Sequence, residues 1–193
     1  MNDSLTLGSN IPRKGNAFTA AIGSAVFKFL GWKFEGEVPN LAQMILPVAP
    51  HSSNMDFIVA IAAVFKLRLR VSYFGKHTLF KFPLGWFMRS TGGIPVNRGS
   101  SQGLTGQMVE AFNQHPQLIL GLAPEGTRGK VTQWKKGFAV IAQATNVPVL
   151  TVLLDYANKT IRFMPLITDV GDVDKTMEQV QAYTATAKPK NQN

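Results

Sequence analysis

Short apolar runs alternate along the chain with longer stretches whose apolar positions recur every three or four residues. The runs 43-QMILPVA-49, 69-LRVSYF-74, 93-GIPV-96, 117-QLILGLA-123, 147-VPVLTVLL-154 and 160-TIRFM-164 read as strands. Between them the spacing predicts helices over 55–66, 101–114 and 135–145, with a C-terminal one over 172–187. Such alternation predicts one α/β domain, built on a largely parallel mixed sheet with helices on both faces. Ligands in that class gather beyond the C-terminal edges of the strands. Two segments fall just past such edges: His51 after the first run, and 124-PEGTR-128 after the fourth.

Residues 1–35 form an N-terminal helical segment, 44–155 the motif-bearing core, and 188-KPKNQN-193 a loose tail. Within 16-NAFTAAIGSAVFKFLGW-32, Phe18, Ile22, Val26 and Phe29 recur at helical spacing behind Arg13 and Lys14. Lys28 interrupts the stretch, and a bilayer core needs about 20 apolar residues in a row. The pattern fits a helix lying in a lipid interface, and equally one packed on the domain's own core. No secretory-signal pattern opens the chain.

Composition narrows the partners. With 45% hydrophobic and 16% charged residues in 193, the chain can bury one globular core. The absence of cysteine removes disulfides, thiolate metal sites and cysteine nucleophiles from consideration. The formal charge is +9 and uneven: from Phe57 to Leu154 the only acidic residues are Glu110 and Glu125. That imbalance predicts a negatively charged partner, or else a solvated basic surface. No nucleic-acid motif of the usual kinds appears, and the aromatic residues sit in apolar runs.

Of the three histidines, only His51 is followed closely by a carboxylate, in 51-HSSNMD-56. A carboxylate on one ring nitrogen fixes the tautomer and stabilises an imidazolium, which suits general-base work. The spacing serves if His51 ends a loop and Asp56 enters the first helical turn; Asp56 also reads simply as a helix-start residue. In 121-GLAPEGTRGK-130 the glycines have P-loop separation, but Thr127 and Arg128 stand where Lys and Ser or Thr belong, so a nucleotide cradle is rejected. Arg128 instead offers a planar fork for phosphate, with Glu125 able to hold it, or the segment is an ordinary surface turn. The G-x-S-x-G pattern at 99-GSSQG-103 lacks room downstream for the acid and histidine of a hydrolase triad. No carboxylate at ligand spacing accompanies His77 or His115, and no cluster indicates zinc.

Taken in order, these segments resemble the glycerolipid acyltransferase family, which includes the 1-acylglycerol-3-phosphate acyltransferases. Its H-x4-D block is matched by 51-HSSNMD-56, its glycine-rich block ending in arginine by 92-GGIPVNR-98, its F-P-E-G-T-R-S block by 123-APEGTRG-129, and its proline-containing strand by 147-VPVL-150. The link 75-GKHTLFKFPLGWFMRSTGG-93 also looks like the family's. Pro50, Ala123 and Gly129 depart from the pattern without removing a group the chemistry needs. The resemblance implies a glycerol-phosphate acyltransferase-like fold and acyl transfer from acyl-CoA or acyl carrier protein to the hydroxyl of a lysophospholipid, by default 1-acylglycerol-3-phosphate. It implies His51 as general base oriented by Asp56, and an acceptor-binding set of Arg98, Glu125, Gly126, Thr127 and Arg128, with Lys76 as a third cationic contact. No bound cofactor is expected beyond the donor. The expected setting is cytoplasmic, on the inner face of the membrane. A thioesterase using the same pair, another lysolipid acceptor, and a non-catalytic basic membrane-binding protein remain open.

Overall fold

The computed structural model describes residues 5–96, 103–126 and 134–191. In chain order the elements are α1 (Ala17–Leu30), β1 (Lys33–Glu35), β2 (Gln43–Ala49), α2 (Asn54–Leu67), β3 (Val71–Lys76), a short 3-10 turn (His77–Phe80), α3 (Leu84–Ser90) and β4 (Gly93–Val96). There follow α4 (Gly103–Gln114), β5 (Leu118–Leu122), α5 (Gly137–Thr145), β6 (Val152–Asp155), β7 (Thr160–Phe163) and α6 (Val173–Thr184).

The strands form one sheet in the order β1-β7-β6-β2-β5-β3-β4. Its centre and one flank are parallel, through β6, β2, β5, β3 and β4. β7 turns back antiparallel to β6, and β1 adds parallel to β7 at the edge. The mixed, mainly parallel sheet predicted from the alternation is therefore the one observed.

Alternation of side chains along the central strands feeds two cores. Met44 and Leu46 of β2, with Ile119 of β5 and Val152 of β6, meet Phe27 of α1 and Val59, Ala62 and Ala63 of α2 on one face. Ile45, Leu118 and Leu120 meet Met108, Phe138, Ile141 and Val180, from α4, α5 and α6, on the other. Strands covered on both faces need apolar residues at nearly every position, which is why β2 and β5 stand out in the sequence. The inner side of α1 packs on the first of these faces. α1 opens on an Asn16–Thr19 capping box, and its inner residues Gly23 and Phe27 are buried. A Cβ on Gly23 would sit 2.5 Å from the backbone nitrogen of Lys66, so only glycine lets α1 and α2 approach this closely. Its outer residues Phe18 and Phe29 remain exposed.

Three differences from the predicted elements have local causes. β1 has only three residues, too few to show a period. The run 147–154 makes a regular strand only from Val152, because Val149 bridges both Ile45 and Ile167 before the ladder settles. Residues 188–191 of the expected loose tail carry hydrogen bonds: Tyr156 N–H donates to Lys188 O, and Asn191 N–H to Ser52 Oγ at 3.2 Å. No helix among the described residues is long and apolar enough to cross a membrane.

Candidate active site

β2 ends at Ala49, and α2 begins five residues later. Ser53 caps that helix: its Oγ accepts from Met55 N–H, and Asp56, three residues on, reaches back to Ser53 N–H in a capping box. The helix start thus puts the Asp56 carboxylate inside the turn that carries His51. His51 Nδ1 lies 3.1 Å from Asp56 Oδ2, and the Asp56 side chain is only 1% exposed. The same oxygen accepts the N–H groups of Ser52 and Ser53 at 2.7 and 2.8 Å. The other, Oδ1, accepts the phenolic O–H of Tyr156 at 2.6 Å.

These contacts set the charge state. Burial pushes the Asp56 carboxyl up, but the hydrogen bonds from His51, Tyr156, Ser53 and Ser52 together outweigh it and hold the group below its ordinary value of 3.8. Asp56 is therefore an anion at neutral pH, which assigns the Nδ1 proton to His51 and the lone pair of the neutral ring to Nε2. Tyr156 is raised by its burial and by donating to that anion, so it stays a donor throughout.

Glu125 reaches the same turn from β5. Both of its carboxylate oxygens lie 3.1 Å from the backbone nitrogen of His51. Burial raises its carboxyl, the His51 N–H and ring lower it, and Asp56 nearby raises it again, leaving it above its ordinary value. The sequence suggested Glu125 as a holder for Arg128, which lies outside the described residues; among those described, Glu125 accepts the His51 main-chain N–H. Gly126 follows in the left-handed region at φ 70°, and closes the turn with its N–H on Ala123 O. A Cβ there would meet the Lys135 side chain at 2.8 Å.

His51, Asp56, Glu125 and Gly126 thus come together at the predicted strand edges. Lys76 ends β3 at the same edge of the sheet, since β3 runs parallel to β2 across β5. Arg98, Thr127 and Arg128 lie outside the described residues, as does most of the 99–103 glycine pattern. Tyr156 was missed; it follows β6 and is 100 positions from Asp56. The only hint was its place, a polar aromatic directly after a strand end. The backbone N–H groups of His51, Ser52, Ser53 and Met55 donate to Glu125, Asp56 and the Ser53 cap.

A cavity of about 820 Å³ opens beside the pair. Phe57, Ala60, Ile61 and Val64 line it from α2, Val71 and Tyr73 from β3, and Phe138 from α5. It includes His51, before α2, and Leu67, at the far end of α2, so it runs along a helix of about 20 Å. A glycine, Gly121, widens the sheet side, where a Cβ would meet Val71 Cγ1 at 3.0 Å. An apolar slot with an oriented imidazole in its lining can hold an alkyl chain and take a proton from a hydroxyl.

The acyltransferase family model matches residues 33–155, well over half of the chain. The chain belongs to the acyltransferase family. Both halves of the His51 site, the β2–α2 turn and the turn after β5, fall inside the matched span. Among solved structures this acyltransferase is similar to the 1-acyl-sn-glycerophosphate (LPA) acyltransferase PlsC from Thermotoga maritima, with TM-score 0.60 and 21% identity over 90% of this chain and 80% of that one. At that identity the likeness establishes the fold. No curated protein matches the sequence.

Proposed function

We propose that this acyltransferase moves a fatty acyl group from acyl-CoA or an acyl carrier protein thioester to the free hydroxyl of a lysophospholipid, with 1-acylglycerol-3-phosphate as the first acceptor to test. The observation that carries it is the buried Asp56 holding His51 at 3.1 Å in the lining of an apolar cavity of about 820 Å³. That cavity suits the alkyl chain of either substrate, and the imidazole suits the polar atoms that react at its end.

An alcohol is far too weak an acid to be deprotonated beforehand by an imidazole, whose ordinary pKa is about 6.5. His51 Nε2 therefore accepts the proton while the hydroxyl oxygen attacks the thioester carbonyl. The new C–O bond forms, the tetrahedral intermediate collapses, and the C–S bond breaks. The imidazolium, stabilised by Asp56, then returns its proton to the departing thiolate, so the ester and a free thiol leave and the site is restored. Glu125, through the His51 N–H, keeps the ring from drifting as its charge changes. A phosphate monoester carries about −1.5 to −2 charges near neutrality, and the family resemblance assigns it to Arg98 and Arg128, with Gly126, Thr127 and Lys76 as further contacts. The protein would work at the inner face of the membrane, where its acceptor resides.

The test is a product assay by mass spectrometry with both donors and a panel of lysolipids. A new diacyl lipid from one donor and acceptor pair is the expected outcome. Free fatty acid alone, at the same rate with and without acceptor, would make the protein a thioesterase and overturn the proposal.

A further inference from the structure

The segment between β3 and β4 displays its large apolar side chains outward. Phe82 is 98% and Trp86 78% exposed, and Leu79, Leu84 and Phe87 are exposed beside them. Exposed leucines scattered singly need no explanation, but five large apolar residues within nine positions do. The display is fixed rather than loose. Phe80 and Met88 are buried and anchor the segment from beneath. Tyr73 Oη lies 2.6 Å from Thr91 Oγ1 and 3.3 Å from Met88 O, tying the end of α3 to the sheet. Arg89 donates to Phe80 O at 3.0 Å and lies over the Phe80 ring. A side chain on Gly85 would collide with the Phe80 carbonyl, so the turn and α3 close tightly on each other.

Charge points to what covers this surface. Lys81 and Arg89 are exposed within the patch, and the sequence holds no acidic residue from Phe57 to Val109. Aromatic and leucine side chains set among cations, in a stretch of sequence without carboxylates, are complementary to the headgroup and upper acyl region of an anionic bilayer. The position agrees. The segment leaves β3 at the sheet edge where His51 stands, and Thr91, directly after α3, lines the apolar cavity.

We propose that residues 77–90 form the surface by which the protein docks on anionic phospholipid, with Phe82 and Trp86 entering the interface and Lys81 and Arg89 meeting the headgroups. The proposal rests on the lipid acyl-transfer function above, because docking there brings a membrane-borne acceptor to the sheet edge that carries His51. It assigns this role to the β3–β4 segment, which crowds five exposed apolar side chains into nine positions, rather than to α1, which spreads Phe18, Ile22 and Phe29 over twelve.

The full-length protein is sedimented with unilamellar vesicles of equal parts phosphatidylglycerol and phosphatidylcholine, and with pure phosphatidylcholine. The wild type should bind the anionic vesicles more tightly, and less so as salt rises. The double variant F82S/W86S should lose on the order of tenfold or more in binding, because each aromatic withdraws apolar surface from water. F18S/F29S, on α1, should bind like the wild type. Phe82→Ser alone guards against misfolding, since a side chain that is 98% exposed has no packing to lose; it should bind several-fold more weakly with native circular dichroism. Equal binding by wild type and F82S/W86S overturns the proposal, as does loss confined to F18S/F29S. So does a dimer that F82S/W86S splits, which would put a second copy on the patch, or a defect seen only with an acyl carrier protein donor. Protein that transfers acyl groups but ignores vesicles sinks the docking alone. Protein that binds vesicles but transfers nothing sinks the function and leaves the docking intact.

Discussion

Two strand-to-helix connections leave the same edge of the sheet and end in opposite chemistry. After β2 the chain turns through 50–53 into α2, buries a carboxylate, and satisfies it with two backbone N–H groups, an imidazole and a phenol. After β3 it turns through 77–83 into α3, which has no side-chain cap and faces solvent with Trp86 and Phe87. The first connection is polar and inward, the second apolar and outward. The topology of a parallel sheet supplies the location in both cases; the difference lies in whether each side chain finds a partner within the chain. A site for bond making needs fixed, dry, fully paired groups. A surface for a fluid lipid phase needs none of that pairing, only apolar area and charge.

His51→Ala probes the contrast most strongly. Loss of a general base costs about 10²–10⁴ in rate, and we expect acyl transfer to fall by at least that while circular dichroism and vesicle binding stay native. Phe82→Ser is the mirror experiment, weakening binding and leaving turnover of a monomeric short-chain acceptor nearly intact. If His51→Ala kept substantial activity in a folded protein, the inward connection would be a structural turn like any other.

Tyr156→Phe comes next. The ring keeps its edge-on contact with Trp32 at 4.9 Å, while the hydrogen bond to Asp56 is removed. Asp56 retains three donors, so kcat should drop by roughly tenfold or less, while stability falls by about 1.5–3 kcal/mol, the contribution of a hydrogen bond to a charged group. The pH dependence has a definite sign. A carboxyl held below its unfolded pKa stabilises the fold above that pKa and loses the contribution as pH falls through the folded value. Without the phenol the folded pKa of Asp56 rises toward 3.8. Acid unfolding should therefore begin at higher pH in the variant, and its stability deficit should be largest at neutral pH and shrink in acid. A deficit independent of pH would mean that Tyr156 acts only by packing.

The two connections also differ in how far the sequence exposes them. β2 and the start of α2 were legible because a strand buried on both faces is apolar throughout, and because Asp56 reads as a helix-start residue. The wiring beyond the turn was not. Glu125 lies 74 positions from His51 and Tyr156 lies 100 from Asp56, and no local pattern encodes which groups a sheet edge will collect. Hence Tyr156 was missed, and the bond from the His51 main chain to Glu125 was not foreseen. α3 was invisible for the opposite reason. Helix periodicity reveals itself when one face is apolar and buried, whereas α3 buries Gly85 and Met88 and exposes Leu84, Trp86 and Phe87, so its pattern marks no inward face.

Ser53→Ala should have the smallest effect and draws the finest line. Ser53 gives the site two things: its Oγ caps α2 through Met55 N–H, and its backbone N–H holds Asp56. Alanine removes the first and keeps the second. Losing a serine cap costs about 1 kcal/mol, which in a domain of this size lowers Tm by about 2–4 °C. Activity should hardly move, because the Asp56 carboxylate keeps its donors and the His51 ring keeps its partner. Thermal unfolding and initial rates on the same preparation separate the two effects. Should the rate fall as far as in Tyr156→Phe while Tm drops by only those few degrees, the cap itself would be setting the angle of His51. Helix capping and base positioning in this turn would then be a single device, with no equivalent at the uncapped start of α3.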